Sequence, residues 1–198
     1  MSGKIVVIDY KAGNLRSIAN ILSAIGADYK ISSSATDIKN AEKLIFPGQG
    51  HFKQAMGNLE KYNLCETVLQ SIEAGKQFLG ICLGLQILFE TSEEAPNYHG
   101  LGVFHGTVKK FTHGKIPQIG WNKIQTTVNN SFLSDDYFYF VNSYYVEPQD
   151  DKIVSSYTDY GINFCSSVQK DNITAVQFHP EKSSDAGMKF FKLWTVKS

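Results

Sequence analysis

Gln77-Phe78-Leu79-Gly80-Ile81-Cys82-Leu83-Gly84-Leu85-Gln86 is the stretch whose reading decides the fold. Gln77-Phe78-Leu79 is short and apolar, as a buried parallel strand is. Leu85-Gln86-Ile87-Leu88-Phe89-Glu90 is helical in composition and apolar on more than one face. Between them stands Cys82, with a glycine two residues to either side. That is the G-x-nucleophile-x-G form of a nucleophile elbow, a sharp strand-to-helix turn. So tight a turn strains the nucleophile and brings two backbones together, and a Cβ at either flank would clash. The sulfur is carried to a helix N-terminus, whose partial positive charge favours a thiolate. The other reading of Cys82 is a small buried hydrophobe, which most lone cysteines are.

Outward from the elbow, strands and helices alternate. Residues 5–9 read as an aliphatic strand running into a loop over 10–13. Asn14 opens a helix in which Leu15, Ile18, Ile21, Leu22 and Ile25 recur at helical spacing, and Gly26 stops it. Residues 28–32 form a second predicted strand, Thr36 caps a short helix, and 43–46 is a third strand broken by Pro47. Helical patterns occupy 52–59 and 64–74. This predicts an α/β fold: a doubly wound, mostly parallel central sheet with helices on both faces.

From 102 to 177 the composition shifts to β-branched and aromatic residues. Strands are predicted over 103–111, 116–127, 137–146, 153–157, 163–169 and 174–178, as antiparallel additions to the sheet. Asp171-Asn172 is the hairpin turn between the last two. The polar run 91–96 reads as a loop closing the elbow helix. Residues 183–197 read as a closing helix with Met188, Phe191 and Leu193 or Trp194 available to pack. With no linker between the halves, one domain over 1–198 is expected.

A second stretch gives the cysteine a mechanism: Ala175-Val176-Gln177-Phe178-His179-Pro180-Glu181-Lys182-Ser183. Pro180 pushes His179 toward an extended conformation. Residues two apart in an extended segment face the same side, so His179 and Glu181 are expected roughly 6.5–7 Å apart along the chain. That suits a carboxylate orienting an imidazole through one nitrogen while the other serves the thiol. His51, His99, His105 and His113 read as structural.

Composition narrows the classes. Nineteen basic residues balance nineteen acidic ones, so no steering toward nucleic acid or an anionic membrane is expected. No apolar run approaches the ~20 residues of a membrane span. Met1-Ser2-Gly3-Lys4 leads straight into a core strand without a signal-peptide layout, and three cysteines (65, 82 and 165) make no disulfide framework. A cytoplasmic location fits. There is no metal-ligand spacing and no phosphate-cradling loop, so no metal and no cofactor are expected.

Gly80-Ile81-Cys82-Leu83-Gly84-Leu85-Gln86 with Gln177-Phe178-His179-Pro180-Glu181-Lys182-Ser183 resembles the class I (triad) glutamine amidotransferase family. Asp9-Tyr10-Lys11-Ala12-Gly13-Asn14-Leu15-Arg16-Ser17, Pro47-Gly48-Gln49-Gly50, Gly120-Trp121-Asn122 and Phe140-Val141-Asn142-Ser143-Tyr144-Tyr145 resemble further motifs of its branch that feeds ammonia to imidazole glycerol phosphate synthesis, in histidine biosynthesis. The resemblance covers essentially the whole chain and implies that L-glutamine is hydrolysed by Cys82, His179 and Glu181. It implies an oxyanion hole from the backbone N–H groups of Gln49 and Leu83, and glutamine binding by Gly48, Gly50, Gln86, Glu94, Ser143 and Tyr144. It also implies a (β/α)8-barrel synthase/cyclase partner in a heterodimer, with Asn14, Arg16, Trp121, Tyr139 and Lys182 lining or gating the shared surface.

Two positions depart from the branch. Asn142 stands where histidine is more usual, and Gln49 replaces a small aliphatic residue. Two alternatives therefore stand beside the main reading: a paralogous glutaminase serving a synthase or sugar amidotransferase of surface-polysaccharide biosynthesis, and a non-catalytic scaffold of the same fold.

Overall fold

The computed structural model describes residues 5–12 and 14–196. Gly13 of the N-terminal motif and Lys197 of the closing helix lie outside them. Strand β1 (Ile5–Ile8) leads to helix α1 (Leu15–Ala24), then β2 (Tyr29–Ser32), α2 (Ala35–Asn40) and β3 (Lys43–Phe46). Helices α3 (Phe52–Lys61) and α4 (Cys65–Glu73) precede β4 (Gln77–Ile81), the elbow helix α5 (Leu83–Gln86) and β5 (Phe89–Ser92). A run of strands follows: β6 (Phe104–Lys110), β7 (Gln118–Thr126), β8 (Tyr137–Asn142), β9 (Tyr144–Pro148), β10 (Val154–Asp159), β11 (Asn163–Lys170) and β12 (Ile173–Val176). Helix α6 (Ser184–Val196) comes last.

The main sheet runs β2-β1-β3-β4-β12-β11-β10-β7-β8. Its first five strands are mutually parallel, including β12 against β4. The others are antiparallel, apart from a parallel β5–β6 pair that joins the sheet through β9. The expectation that residues 174–178 form an antiparallel addition is therefore corrected. Strand β12 is antiparallel to β11, but on its other edge it is the fifth strand of the parallel core. All four of its residues are buried, as they are throughout β1.

Strand alternation splits the core into two layers. Val6, Ile8, Leu44, Phe46 and Phe78 face α2, α3 and α4, while Ile5, Val7, Ile45, Leu79 and Ile81 face α1 and α6. Asn14 caps α1 by accepting from Ser17 N at 3.3 Å, and Ile18, Ile21 and Leu22 form its buried stripe. The cap of α2 is Ser34 and not Thr36, which lies inside the helix. Helix α6 buries Gly187, Phe190, Phe191 and Trp194, whereas Leu193 faces out.

Two further boundaries differ from the sequence reading. The helical composition of 85–90 does not continue past Gln86. Ile87 and Leu88 give their carbonyls to Leu101 N (2.7 Å) and Phe104 N (3.0 Å), so no next helical turn forms. Phe89–Ser92 is strand, and the polar loop begins only at Glu93. The single strand expected over 137–146 breaks at Ser143 into β8 and β9, which pair with different neighbours.

Candidate active site

Cys82 sits where β4 ends and α5 begins, with φ +51 and ψ −101, outside the ordinary regions for a side-chain-bearing residue. Its N–H is pinned to Val176 O at 2.7 Å, which ties the turn to β12. The flanking glycines are there because backbone fills the space. A Cβ on Gly80 would stand 2.5 Å from Gly84 O, and one on Gly84 would stand 2.5 Å from Phe46 O. Helix α5 is a single turn, so it adds less dipole to the thiolate than a full helix does.

The approach of the second stretch differs from expectation. His179 is not followed by extended chain: Pro180–Lys182 is a 3-10 turn that begins right after it. The turn folds the Glu181 carboxylate back to His179, giving Nδ1···Oε1 of 2.8 Å with each side chain 2 % exposed. With Nδ1 on Glu181, Nε2 is the ring nitrogen left for Cys82, whose charge acts on the ring. Burial pushes the imidazole toward its neutral form. The negative charge of and hydrogen bond to Cys82, then the bond and charge of Glu181, outweigh burial and lift the group to about 10. The second oxygen of Glu181 has no hydrogen-bond partner among the described residues.

Strand β8 braces this arrangement from below. His179 N donates to Tyr139 O at 2.8 Å, Tyr139 N donates to Ser183 Oγ at 3.0 Å, and Ser183 Oγ donates to His179 O at 2.7 Å. The Phe178 ring packs 4.2 Å from that of Phe138 in the core.

A cavity of about 240 Å³ opens over the sulfur, and Gly50, Leu83, Gln86, Glu94, Ser143 and Tyr144 line it with Cys82. Seven of the residues expected around nucleophile and glutamine thus meet at one place. Larger hollows exist elsewhere, but the 360 Å³ one beside α1 and α6 touches only Glu181 of the triad and holds no nucleophile. Gly48 and Gln49 do not line the cavity. Gly48 packs under the elbow, where a Cβ would come within 1.8 Å of Ile81 O, and Gln49 is exposed. The Gln49 carbonyl accepts from Tyr10 Oη at 2.7 Å. Burial, then the charge of Cys82, push that hydroxyl well above the usual tyrosine range, so it stays a donor.

Glu94 is not an isolated acceptor: it takes Phe52 N at 2.7 Å and contacts His51 Nδ1 at 3.1 Å. His51, read from sequence as structural, therefore belongs to the cavity wall. Asn142 lines it too; its Nδ2 donates to Tyr144 O at 3.0 Å, leaving a buried Oδ1 without a partner among the described residues. Pro117 and Val141 complete the wall and carry no sequence signal of their own.

The residues expected at a shared surface divide. Trp121 is 53 % exposed, opposite Tyr139 in the β7–β8 pairing, with their rings edge to face at 6.0 Å. Ile119 and Tyr137 are exposed on the same two strands. Asn14 is spent on capping α1, Arg16 is exposed, and Lys182 is half-buried on the turn that carries Glu181. Among the described residues, no helix is long and apolar enough to cross a membrane.

A strained cysteine on a strand-to-helix elbow, an imidazole bound to a buried carboxylate and a small cavity over the sulfur stand together on this α/β sheet. Residues 6–197 match the family described as glutamine amidotransferase class-I, and the chain belongs to that family. Its relatives include the imidazole glycerol phosphate synthase subunit HisH of Methanothermobacter thermautotrophicus, 47 % identical over 93 % of both chains. The HisH subunit of Aquifex aeolicus is 45 % identical over 98 % of this chain and 96 % of its own. Among solved structures, a glutamine amidotransferase superposes with a TM-score of 0.80 at 20 % identity, covering 98 % of this chain and 100 % of its own. PurLQS from Thermotoga maritima gives 0.76 at 19 % identity, covering 98 % of each chain.

Proposed function

We propose that this chain is the glutaminase subunit of an imidazole glycerol phosphate synthase, hydrolysing L-glutamine to glutamate and ammonia for histidine biosynthesis. The observation that carries the reading is the buried His179–Glu181 hydrogen bond in one site with Cys82, whose sulfur lies under a cavity walled by Gln86 and Glu94. Near-full-length identity to HisH subunits selects the pathway over the surface-polysaccharide alternative.

In the first half-reaction the Cys82 thiolate attacks the side-chain carbonyl carbon of glutamine. The oxyanion that forms takes the N–H groups of Leu83 and Gln49. His179 gives its proton to the departing nitrogen, ammonia leaves, and a γ-glutamyl thioester remains. Neutral His179 then takes a proton from water as the hydroxyl attacks the thioester, glutamate leaves, and the thiolate–imidazolium pair is restored. Glu181 keeps the imidazole oriented and stabilises its charged form. Glu94 and the free Oε1 of Gln86 receive the α-ammonium group, and Asn142 Oδ1 offers a further acceptor.

The strip of exposed Ile119, Trp121 and Tyr137 with half-buried Tyr139 is the proposed seat of a (β/α)8-barrel synthase, which receives the ammonia. Cys82→Ser tests the assignment. Glutamine-dependent synthesis should vanish in the complex while synthesis from added ammonia survives, because only the ammonia source is lost. Substantial glutaminase turnover by Cys82→Ser would refute it.

A further inference from the structure

One buried polar side chain beside the sulfur has no part in that mechanism. Gln177 ends the run leading out of β12 and is fully buried. Both ends of its carboxamide are engaged: Nε2 donates to Cys82 Sγ at 3.4 Å, and Oε1 accepts from Gln86 Nε2 at 3.1 Å. The direction of this chain is fixed by its far end. Gln86 Nε2 also donates to Tyr144 O at 3.4 Å, and a backbone carbonyl only accepts, so Gln86 must present its NH2 and Gln177 must answer with its oxygen. Gln177 is then bound to turn its own NH2 toward the sulfur.

Gln177 lies just past β12, where the chain bends over residues 177–178, and from there its amide reaches the sulfur. A buried carboxamide costs desolvation that an apolar side chain of similar size avoids, unless its hydrogen bonds are used. Both of its bonds here run to the nucleophile and to a residue of the glutamine cavity.

We propose that Gln177 is a positioning residue that holds the Cys82 thiolate toward the glutamine cavity and, through Gln86, ties its orientation to the substrate site. The inference rests on the glutaminase reading above and extends it. It matters most in the second half-reaction. While His179 is engaged with the attacking water, the sulfur leaves the thioester as a thiolate, and the Gln177 N–H group is the donor still facing it.

Two variants separate this role from packing. Gln177→Met keeps volume and removes the donor. Gln177→Glu keeps length and an acceptor for Gln86 but turns a carboxylate oxygen toward the sulfur. The assay is the pH profile of Cys82 carboxamidomethylation by iodoacetamide in the full chain, read by mass spectrometry of the Cys82 peptide, with circular dichroism as a folding check. Loss of one charge-assisted hydrogen bond should move the Gln177→Met profile to higher pH and lower the rate at neutral pH about tenfold, with a larger shift for Gln177→Glu. Profiles that coincide with wild type while glutamine turnover persists would overturn the positioning role and leave the glutaminase reading intact. A wild-type Cys82 that resists a glutamine-analogue chloroketone would instead remove the glutaminase reading itself. Should the variants fail to fold, the wild-type chain decides by NMR: the Gln177 side-chain NH2 resonances should move when Cys82 is carboxamidomethylated, and unmoved resonances overturn the proposal.

Discussion

Glu181→Gln separates the charge of the acid from its shape. The native carboxylate accepts from His179 Nδ1 at 2.8 Å, with both side chains 2 % exposed, so water screens little of the interaction. A glutamine there keeps an acceptor oxygen at the same reach and loses the charge. A buried hydrogen bond to a charged group is worth about 1.5–3 kcal/mol, which at ~1.4 kcal/mol per factor of ten predicts a kcat loss of about 10- to 150-fold. The pH dependence gives a second reading. His179 is raised from 6.5 to about 10 when folded, so what the imidazolium contributes is complete below its ordinary value and is lost as pH climbs through about 10. Removing Glu181 lowers that upper limit, so the alkaline limb of turnover should move to lower pH. Glutamate release in the complex, at one pH and then across the pH range, measures both effects. Glu93→Gln is the control, since that exposed carboxylate accepts from Lys110 N at 2.7 Å out on the surface. Equal turnover in the two variants, together with an unmoved alkaline limb, would refute the orienting role of Glu181.

Gly84→Ala should cost about 1–3 kcal/mol in urea unfolding, because its Cβ meets Phe46 O at 2.5 Å and two backbones must part; wild-type stability would contradict the elbow packing. Trp121→Ala should weaken binding of the barrel synthase by about 2 kcal/mol in titration calorimetry, as loss of a central aromatic anchor does, and unchanged affinity would move the interface elsewhere. The free chain should release glutamate slowly and accelerate with the synthase, then again with acceptor ligand, since the Gly48–Gln49 peptide can turn while Tyr10 holds the Gln49 carbonyl. A free chain as fast as the liganded complex would exclude gating.

The parallel half of the fold was legible because its inner strands are buried on both faces and its helices carry regular stripes. Periodicity cannot separate a short buried helix from a short buried strand, and residues 85–90 show the cost. Phe89 and Glu90 are strand because Leu101 and Phe104, a dozen residues on, claim the carbonyls a helix would need, and no local pattern announces that claim. Residues 174–176 were legible as strand, whereas 177–178 bend out of it, and the direction relative to β4 is set by which edge the chain returns to, which lies outside any window of sequence.

The site divides along the same line. The elbow glycines were readable as a steric demand, and the coordinates put backbone oxygens in the space a Cβ would take. Glu181 was readable as the partner of His179, but for a reason that does not hold: alternation along an extended strand places the side chain that meets His179 from beyond Pro180, where the chain has already turned. Applied one step earlier, the same rule would pair His179 with Gln177, but there too the chain bends, over residues 177–178, and the Gln177 amide reaches Cys82 from just past the strand. A period-2 argument is therefore only as good as the backbone between the two residues, and the proline that favours an extended His179 is also the residue that opens the 3-10 turn. The carboxylate is delivered by the turn and the amide from just past the strand, so the two partners of the nucleophile system respond to different perturbations: changes at Pro180 displace Glu181 first, and changes in β12 displace Gln177.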